Sequence, residues 1–364
     1  MRDITLDDLL RVVRDDGAVY LVEEQTSLCE CIWVTVTGRA TTMVNCIVYT
    51  TDSVGLRSEA TRCRVMPDEA EKTFTVSFCF DPVSYGVYRD AISFSVEIPD
   101  PVGDVSIESF LMCEKNEDSA GEPVHRSLVT ERDGEKVVPV TLLDGSVVYR
   151  PLTAHRVLFI GNSILLGMRN SYGMCAGSPR NDYYYYLTQR FRELDPDSEF
   201  KKLHGAGLEH SESRQMYEEW MYSTPNIYTG VPAAESFTPD LDLIIMQLGD
   251  NAGTEEKRRV FCENADAFIR HAKTVCPLAR IIWVYGWYNR PYLDQNLIPL
   301  LDKWGIESVQ VGTLRTNKAN EAYSGMLFEE LSGKVNVVAD RWITHPGNMG
   351  MKRIAEHMLK LLDM

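Results

Sequence analysis

The sequence has no excess of basic residues and no long apolar run, and both absences exclude classes of protein. It contains 37 Lys and Arg against 53 Asp and Glu, a formal net charge of -16. Binding the phosphates of nucleic acid or an anionic membrane surface requires the opposite balance. No apolar stretch approaches the ~20 residues that span a bilayer. We therefore expect neither nucleic acid nor a membrane as a partner.

Signals for secretion, metal binding and phosphate binding are also missing. The first eight residues, MRDITLDD, lack the basic and then apolar pattern of a secretion signal. Nine cysteines are an odd number, which favours reduced thiols in the cytoplasm, unless a leader preceded this sequence in a secreted protein. No His, Cys or Asp spacing resembles a metal site, and no glycine-rich phosphate loop is present, so no cofactor is expected. The oligomeric state is left open, a homodimer included.

The first part of the chain shows the alternating pattern of short strands with one buried face. Strands are predicted at residues 32–37, 46–50, 74–78 and 92–96. They are separated by turn-forming clusters, and no convincing helix lies between them. This predicts a β-sandwich domain over residues 1–150, of the jelly-roll or immunoglobulin-like kind. The first ~12 residues are predicted to form a short helix.

After Pro151 the pattern changes to continuous apolar strands that alternate with helices. Strands are predicted around residues 156–161, 200–203, 241–249, 281–286 and 308–311, and a long helix at 255–275. Such strands are buried on both faces, which predicts an α/β domain at 151–364 with a parallel sheet between two layers of helices. In sheets of this type, the active site lies at the carboxyl ends of the strands.

Several of these strands end in residues that suit acyl transfer. The first ends in Gly161-Asn162-Ser163, and the third in Gly249-Asp250-Asn251. The glycines at 205 and 207 follow the second strand, and His345 precedes the last helix. Ser163 would be the nucleophile and His345 its base. The backbone N–H of Ser163, the side-chain amide of Asn251 and a backbone N–H of Gly207, or alternatively Gly205, would form an oxyanion hole.

Each of these residues also has an ordinary structural explanation. Gly-Asn-Ser is a common turn sequence, and Asn251 can cap the helix that follows it. Pro346 after His345 suits the first turn of a helix. The functional interpretation is favoured because the groups occur together, in order, at predicted strand ends.

The four groups resemble the conserved blocks of the SGNH (GDSL-like) hydrolase family. Gly161-Asn162-Ser163 matches the first block, usually Gly-Asp-Ser, with Asn in place of Asp. Gly249-Asp250-Asn251 matches the Gly-x-Asn of the third block, and His345-Pro346 matches the end of the fifth. The looser second block is aligned on Gly207. The resemblance covers about residues 155–364 and implies a three-layer α/β/α, flavodoxin-like domain with a serine esterase activity.

The chain departs from the family at the residue that usually supports the histidine. The family has Asp three residues before its His, and this position is Trp342. Three interpretations stay open. Asp340 reaches His345 through a different loop shape, a backbone carbonyl accepts from Nδ1 and leaves a Ser–His dyad, or the domain is inactive.

A jelly-roll-like domain before an SGNH domain is also similar to the acetyl esterases of carbohydrate esterase family 2. This resemblance implies a short-chain, acetyl-type ester on a saccharide as the substrate. Tyr172, Trp287 and Trp342 are then candidates for stacking on a sugar. Alternatives are a lipase-like, thioesterase or acyltransferase activity on another acyl substrate, and an inactive glycan-binding module.

Overall fold

The computed structural model divides the chain into two compact units, and the division does not follow the sequence linearly. It describes residues 4–25, 32–52, 54–80, 91–114, 123–152, 154–167, 172–288, 291–323, 325–330 and 332–364. The first unit comprises Met1–Ser119, Cys175–Asp182 and Asn317–Lys352, and the second comprises Ala120–Met174, Tyr183–Thr316 and Arg353–Met364. The domains predicted at residues 1–150 and 151–364 stay a prediction, because the division into compact units does not test whether each segment folds independently.

The first unit contains two antiparallel sheets. Its strands are β1 (Ile4–Thr5), β2 (Leu10–Arg14), β3 (Gly17–Gln25), β4 (Ile32–Arg39), β5 (Val44–Asp52), β6 (Arg57–Val65), β7 (Thr73–Phe80), β8 (Ala91–Asp100) and β9 (Ser106–Glu114). One sheet has the order β1-β9-β4-β7 and the other the order β2-β3-β8-β5-β6. Alternate residues of β4 are buried, as its sequence pattern predicts. Val34 and Val36 of β4 belong to the same buried cluster as Val48 and Val96 of the other sheet.

The predicted helix at the N-terminus is wrong. Residues 4–14 form β1, a short 3₁₀ turn at Leu6–Asp8 and then β2. Ile4 is completely buried and pairs with Met112 of β9, whereas β2 pairs with β3. Pairing with strands distant in sequence therefore outweighs the local preference for a helix here.

The second unit is built on a six-stranded sheet. The strands of this unit are β10 (His125–Arg126), β11 (Thr130–Arg132), β12 (Glu135–Thr141), β13 (Val147–Pro151), β14 (Arg156–Gly161), β15 (Glu199–His204), β16 (Leu243–Gln247), β17 (Arg280–Val284) and β18 (Glu307–Val309). The sheet has the order β10-β18-β17-β16-β14-β15, and its strands are parallel except for the antiparallel edge strand β10. Every residue of β16 and β17 is buried, because both faces of these central strands are covered. β11, β12 and β13 form a separate antiparallel sheet.

The first five helices lie in the intervals between the parallel strands, as the alternating pattern predicts, and the sixth follows the last strand. They are α1 (Tyr183–Leu194), α2 (Ala206–His210), α3 (Arg214–Tyr222), α4 (Glu255–Val275), α5 (Pro291–Trp304) and α6 (Asn348–Leu362). The longest, α4, begins where the Thr254 hydroxyl accepts a hydrogen bond from the Lys257 N–H. Its Phe261 and Phe268 pack in a buried cluster with Leu158 and Ile244 of the sheet. Within the described residues, no helix combines the length and the apolarity that crossing a membrane requires.

The last part of the first unit consists of short elements. β19 (Leu327–Glu329) and β20 (Val335–Val337) form a hairpin, and a 3₁₀ turn at Asp340–Trp342 precedes His345. Tyr323 packs on Phe78 of β7 with 5.6 Å between ring centroids, which fixes this segment on the four-stranded sheet.

A buried ion pair lies at the amino ends of β17 and β18. Arg280 donates from Nε to Glu307 at 2.6 Å and from Nη2 at 2.9 Å, and the two side chains are 6% and 1% exposed. Glu307 also accepts from the backbone N–H of Leu128, while Arg280 donates to the carbonyl of Leu361 in α6. This pair thus joins two strands to the segment before β11 and to the C-terminal helix.

Replacing Glu307 by Gln is expected to lower the free energy of unfolding by about 3 kcal/mol, because it leaves the Arg280 charge buried without its anion. Urea unfolding followed by circular dichroism measures the change. Glu199→Gln is the control, since Glu199 pairs with Arg156 at the surface and is 61% exposed. Its expected cost is within about 0.5 kcal/mol. Equal costs for the two substitutions would contradict a stabilising role of the buried pair.

Candidate functional site

Three of the predicted groups follow neighbouring strands of the parallel sheet. Gly161, the last residue of β14, is in register with His204 of β15 on one side and Gln247 of β16 on the other. The turns that carry Ser163, Gly207 and Asn251 therefore leave the sheet side by side. This is the edge at which active sites of parallel sheets form.

Ser163 lies in a tight turn directly after β14. The carbonyl of Asn162 accepts hydrogen bonds from the N–H groups of Leu165 and Leu166, and the carbonyl of Ser163 accepts from Met174 at 2.8 Å. A Cβ on Gly161 would lie 2.6 Å from the Cβ of Leu165, so the turn can close this tightly only after glycine. The Ser163 side chain is partly exposed, which suits a nucleophile, whereas Asn162 is fully buried.

A buried carboxylate, Glu209 of α2, joins the three turns. Its Oε1 accepts from Asn162 Nδ2 at 3.0 Å, from the Gly249 N–H at 2.6 Å and from the Asn251 N–H at 3.4 Å. Its Oε2 accepts from Asn251 Nδ2 at 2.7 Å. The residue is 0% exposed. Burial, together with the charge of Asp250, raises the pKa of this carboxyl to about 7, while the donors from Asn251, Gly249 and Asn162 lower it.

A second buried carboxylate, Asp250, lies on the other side of Asn162. Its Oδ2 accepts from Asn162 Nδ2 at 2.9 Å and from Gln247 Nε2 at 2.7 Å. Its Oδ1 accepts from the Tyr288 N–H at 2.8 Å, which connects the turn after β16 to the loop after β17. The Asn162 amide therefore bridges two buried acids.

The two candidate glycines differ in what their backbones do. Gly205 donates its N–H to the Gly161 carbonyl at 2.7 Å, so this N–H is committed to joining the turns after β15 and β14. Gly207 lies in the first turn of α2, where N–H groups have no acceptor within the helix. A Cβ on Gly207 would lie 2.1 Å from the Trp220 ring, so this position also requires glycine for packing. The structure thus disfavours Gly205 as an oxyanion donor.

His345 belongs to the first unit, and its ring is oriented by main-chain atoms. Its Nδ1 lies 3.1 Å from the carbonyl oxygen of Trp342. Because a carbonyl oxygen only accepts, this contact places the ring proton on Nδ1 and leaves a lone pair on Nε2. The same oxygen accepts from the His345 N–H at 2.9 Å and from Cys175 Sγ at 3.4 Å. The backbone of Asp340 begins the 3₁₀ turn, and its side chain lies outside the described residues.

The aromatic predictions fare differently. Trp287 is 0% exposed and Tyr172 is 2% exposed, so neither ring offers a face to a sugar in this structure. Their proposed contact with a sugar stays a prediction. Trp342 is half-buried and lies under the Arg341 guanidinium, 5.0 Å from the ring centroid, which leaves it as the remaining stacking candidate.

Other residues near the candidate site could in principle act as a nucleophile, a base or a metal ligand. Burial raises the pKa of the Cys175 thiol to about 12, so this buried cysteine is not a nucleophile at neutral pH. Burial also lowers the pKa of His204 and of His210, the histidines beside the glycine turn. In the part of the chain that the structure describes, no group of three or more His, Cys, Asp and Glu side chains is arranged to hold a metal ion.

Glu209 and Asp250 are functional candidates that the sequence analysis did not assign. Asp250 carried a signal, because it stands between Gly249 and Asn251 at a predicted strand end. Glu209 carried only a weak one, because it is one of several polar residues that follow Gly207. The partners of both carboxylates lie far away in sequence, and sequence spacing does not reveal such pairs.

Comparisons with known proteins give likenesses among solved structures only. No family model matches the chain, and no curated protein matches it. A family two carbohydrate esterase from Cellvibrio japonicus is similar at 12% identity, with 100% of this chain and 98% of that chain covered and a TM-score of 0.34. An acetyl xylan esterase from Butyrivibrio proteoclasticus has 14% identity, covers 98% and 91%, and gives a TM-score of 0.34. Phospholipase A1 from Streptomyces albidoflavus has 10% identity, covers 58% and 98%, and gives a TM-score of 0.37.

Replacing Asn162 by Asp restores the usual residue of the resembling family, and we expect it to destabilise this chain. The new oxygen would face Glu209 and Asp250 at about 3 Å. We expect a loss of about 3 kcal/mol in the free energy of unfolding at pH 8. Crowding raises the folded-state pKa of the new carboxyl above its unfolded value, so the deficit grows as pH rises and shrinks toward pH 5.

Urea midpoints at pH 5 and pH 8, each compared with wild type, measure this change. Asn296→Asp is the control, since Asn296 is exposed on α5. A stable Asn162→Asp variant with no pH-dependent deficit would show that the amide is not needed between the two acids.

Proposed function

We propose that this chain is a serine esterase in which Ser163 is the nucleophile and His345 is the general base. The observation that carries the proposal is that Asn162 and Asn251, in the turns after β14 and β16, both donate hydrogen bonds to Glu209 of α2, which follows β15. It supports a partly exposed serine beside amide donors, the combination that acyl transfer requires.

His345 suits the role of base because of its tautomer. With the proton on Nδ1 held by the Trp342 carbonyl, Nε2 is free of hydrogen and can accept the proton of a serine hydroxyl. The imidazolium formed during attack keeps its Nδ1–H donor bond to that carbonyl. The missing acid of the family pattern is thus replaced by a main-chain acceptor, which favours the interpretation of a Ser–His dyad.

In the proposed reaction, Ser163 Oγ attacks the ester carbonyl as its proton passes to His345. The oxyanion of the tetrahedral intermediate is stabilised by the N–H groups of Ser163 and Gly207 and by the amide of Asn251. Collapse of the intermediate expels the alcohol, which takes the proton from His345. Water then hydrolyses the acyl-enzyme by the same steps in reverse roles.

The substrate we propose is a short acyl ester, acetyl above all, on a carbohydrate. The sequence resemblance to carbohydrate esterase family 2 supports this class, and the half-buried Trp342 ring is suited to stack on a sugar face. The proposal includes the finer fold. The first nine strands form a jelly-roll-like sandwich, and the parallel sheet is a middle layer. Phe159, which contacts Tyr184 of α1, and Leu158, which packs toward α4, support helices on its two faces.

Ser163→Ala is expected to lower the hydrolysis rate of p-nitrophenyl acetate by at least about 10³-fold, because it removes the attacking oxygen. Ser198→Ala is the matched control, a buried serine at the amino end of β15, and it should retain the wild-type rate. Wild type and Ser163→Ala both at the background rate would rule out the esterase. Full activity of Ser163→Ala would point to another nucleophile. Acetylated sugars assayed against longer acyl esters then define the substrate class.

Asp340→Asn is expected to keep kcat within about 3-fold of wild type, because the main-chain carbonyl of Trp342 accepts the Nδ1 proton. Where a carboxylate is the acceptor, as in a serine-protease triad, the same change costs ~10⁴-fold in kcat. His345→Ala, measured beside it, should lose at least about 10³-fold. A loss of 100-fold or more in Asp340→Asn would assign the orienting role to Asp340 instead.

A further inference from the structure

We propose that Glu209 is a positioning residue for the esterase reaction, and that it acts by fixing the orientation of the Asn251 side-chain amide in the oxyanion hole. The inference rests on the proposed function, because it concerns how that site presents one of its donors. It adds a residue that the conserved blocks of the resembling family do not include.

An asparagine amide is nearly symmetric in shape, so its neighbours decide which end faces the substrate. The nitrogen donates and the oxygen accepts, and a rotation of 180° exchanges them. With the wrong end forward, the carbonyl oxygen of Asn251 would face the oxyanion and repel it. A site that uses this amide as a donor therefore needs a partner that tells the two ends apart.

Glu209 is such a partner. Burial and the charge of Asp250 raise its pKa to about 7, so above that pH Glu209 is a carboxylate with no hydrogen to donate. Only the nitrogen of Asn251 can then face Oε2, and the two atoms are 2.7 Å apart. One hydrogen of Nδ2 is thereby directed at Glu209. The other hydrogen lies on the far side of the nitrogen, and Asn251 is partly exposed, so this hydrogen is available to an oxyanion.

The carboxylate itself has little freedom to move. Oε1 accepts from the N–H groups of Gly249 and Asn251 and from Asn162, which precedes the nucleophile. Glu209 is fully buried, so no water competes for these bonds. One oxygen thus anchors the carboxylate to the two turns, and the other orients the amide. The Asn162 bond ties this arrangement to the residue beside Ser163.

The test is a double-mutant cycle of Glu209→Gln and Asn251→Ala, assayed with p-nitrophenyl acetate. The three donors at Oε1 hold the glutamine oxygen in that position, so its Nε2 takes the place of Oε2. This nitrogen only donates, so it turns the oxygen of Asn251 toward itself and reverses the amide. We expect Glu209→Gln and Asn251→Ala each to lower kcat by about 10²-fold, the cost of one lost oxyanion donor, with KM within about 3-fold. In the Asn251→Ala background, adding Glu209→Gln should change kcat by no more than about 3-fold.

The matched control is Glu307→Gln, which also converts a fully buried carboxylate with several donors into an amide. Glu307 lies at the amino ends of the strands, opposite the turns that carry the site. Its loss of stability should leave kcat within about 3-fold of wild type when assayed below the unfolding temperature. A further loss of about 10² from Glu209→Gln in the Asn251→Ala background would show that Glu209 acts independently of Asn251 and would overturn the inference, as would an unchanged kcat in Glu209→Gln alone.

A measurement on the wild-type protein keeps the inference testable if a variant fails to fold or if the chain hydrolyses no ester. The side-chain amide of Asn251, assigned in the ¹⁵N NMR spectrum by its loss in Asn251→Ala, should have one proton shifted downfield and protected from exchange by the carboxylate. Two equivalent, rapidly exchanging protons would overturn the inference. Failure of the proposed function is distinct, because it is an absence of Ser163-dependent hydrolysis.

Discussion

The organisation of the candidate site depends on the hydrogen bonds that the buried Glu209 carboxylate accepts. A charge without solvent contact is costly, and it persists only where donors surround it. Here the donors come from the turns after β14 and β16, while the acid itself lies on α2 after β15. Three segments that are distant in sequence must therefore converge to satisfy one group. The parallel sheet supplies this convergence, since Gly161 pairs with both His204 and Gln247 at the strand ends.

The identity of residue 162 follows from the same constraint. Asp250 is already buried near Glu209, and the two negative charges repel each other. An amide between them donates to both acids, at 3.0 Å and 2.9 Å, whereas a carboxylate would add a third negative charge. Asn at this position, where the resembling family usually has Asp, is thus compatible with the network, because its acidic groups lie on α2 and on the turn after β16. The residue at position 162 therefore depends on the acid at position 209, since the two side chains are hydrogen-bonded.

The sequence predicts elements well where burial is continuous and poorly where long-range pairing decides. The helix predicted at 255–275 is α4, because its apolar residues recur with the helical period, and the strand predicted at 156–161 is β14, because it is a continuous apolar run that ends in glycine. The N-terminal segment has no such period, and its strands form through partners such as Met112. The positions of Ser163, Gly207 and Asn251 after buried strands could be predicted because strand-end turns have a sequence signature; their roles stay predictions. The burial of Trp287 could not be predicted, because an aromatic residue just beyond a strand can be exposed or buried with the same local sequence.

The acceptor for His345 illustrates the limit of such prediction in physical terms. Every residue carries a carbonyl oxygen, so a main-chain acceptor leaves no mark in the sequence, and its availability depends only on backbone geometry. The 3₁₀ turn at Asp340–Trp342 presents the Trp342 oxygen to both the N–H and the Nδ1 of His345. A neutral acceptor fixes the tautomer as a carboxylate does, but it stabilises the imidazolium less, because it carries no charge. In the reaction proposed for this chain, transition-state stabilisation would therefore come more from the oxyanion donors, and the orientation of Asn251 would gain importance for that reason.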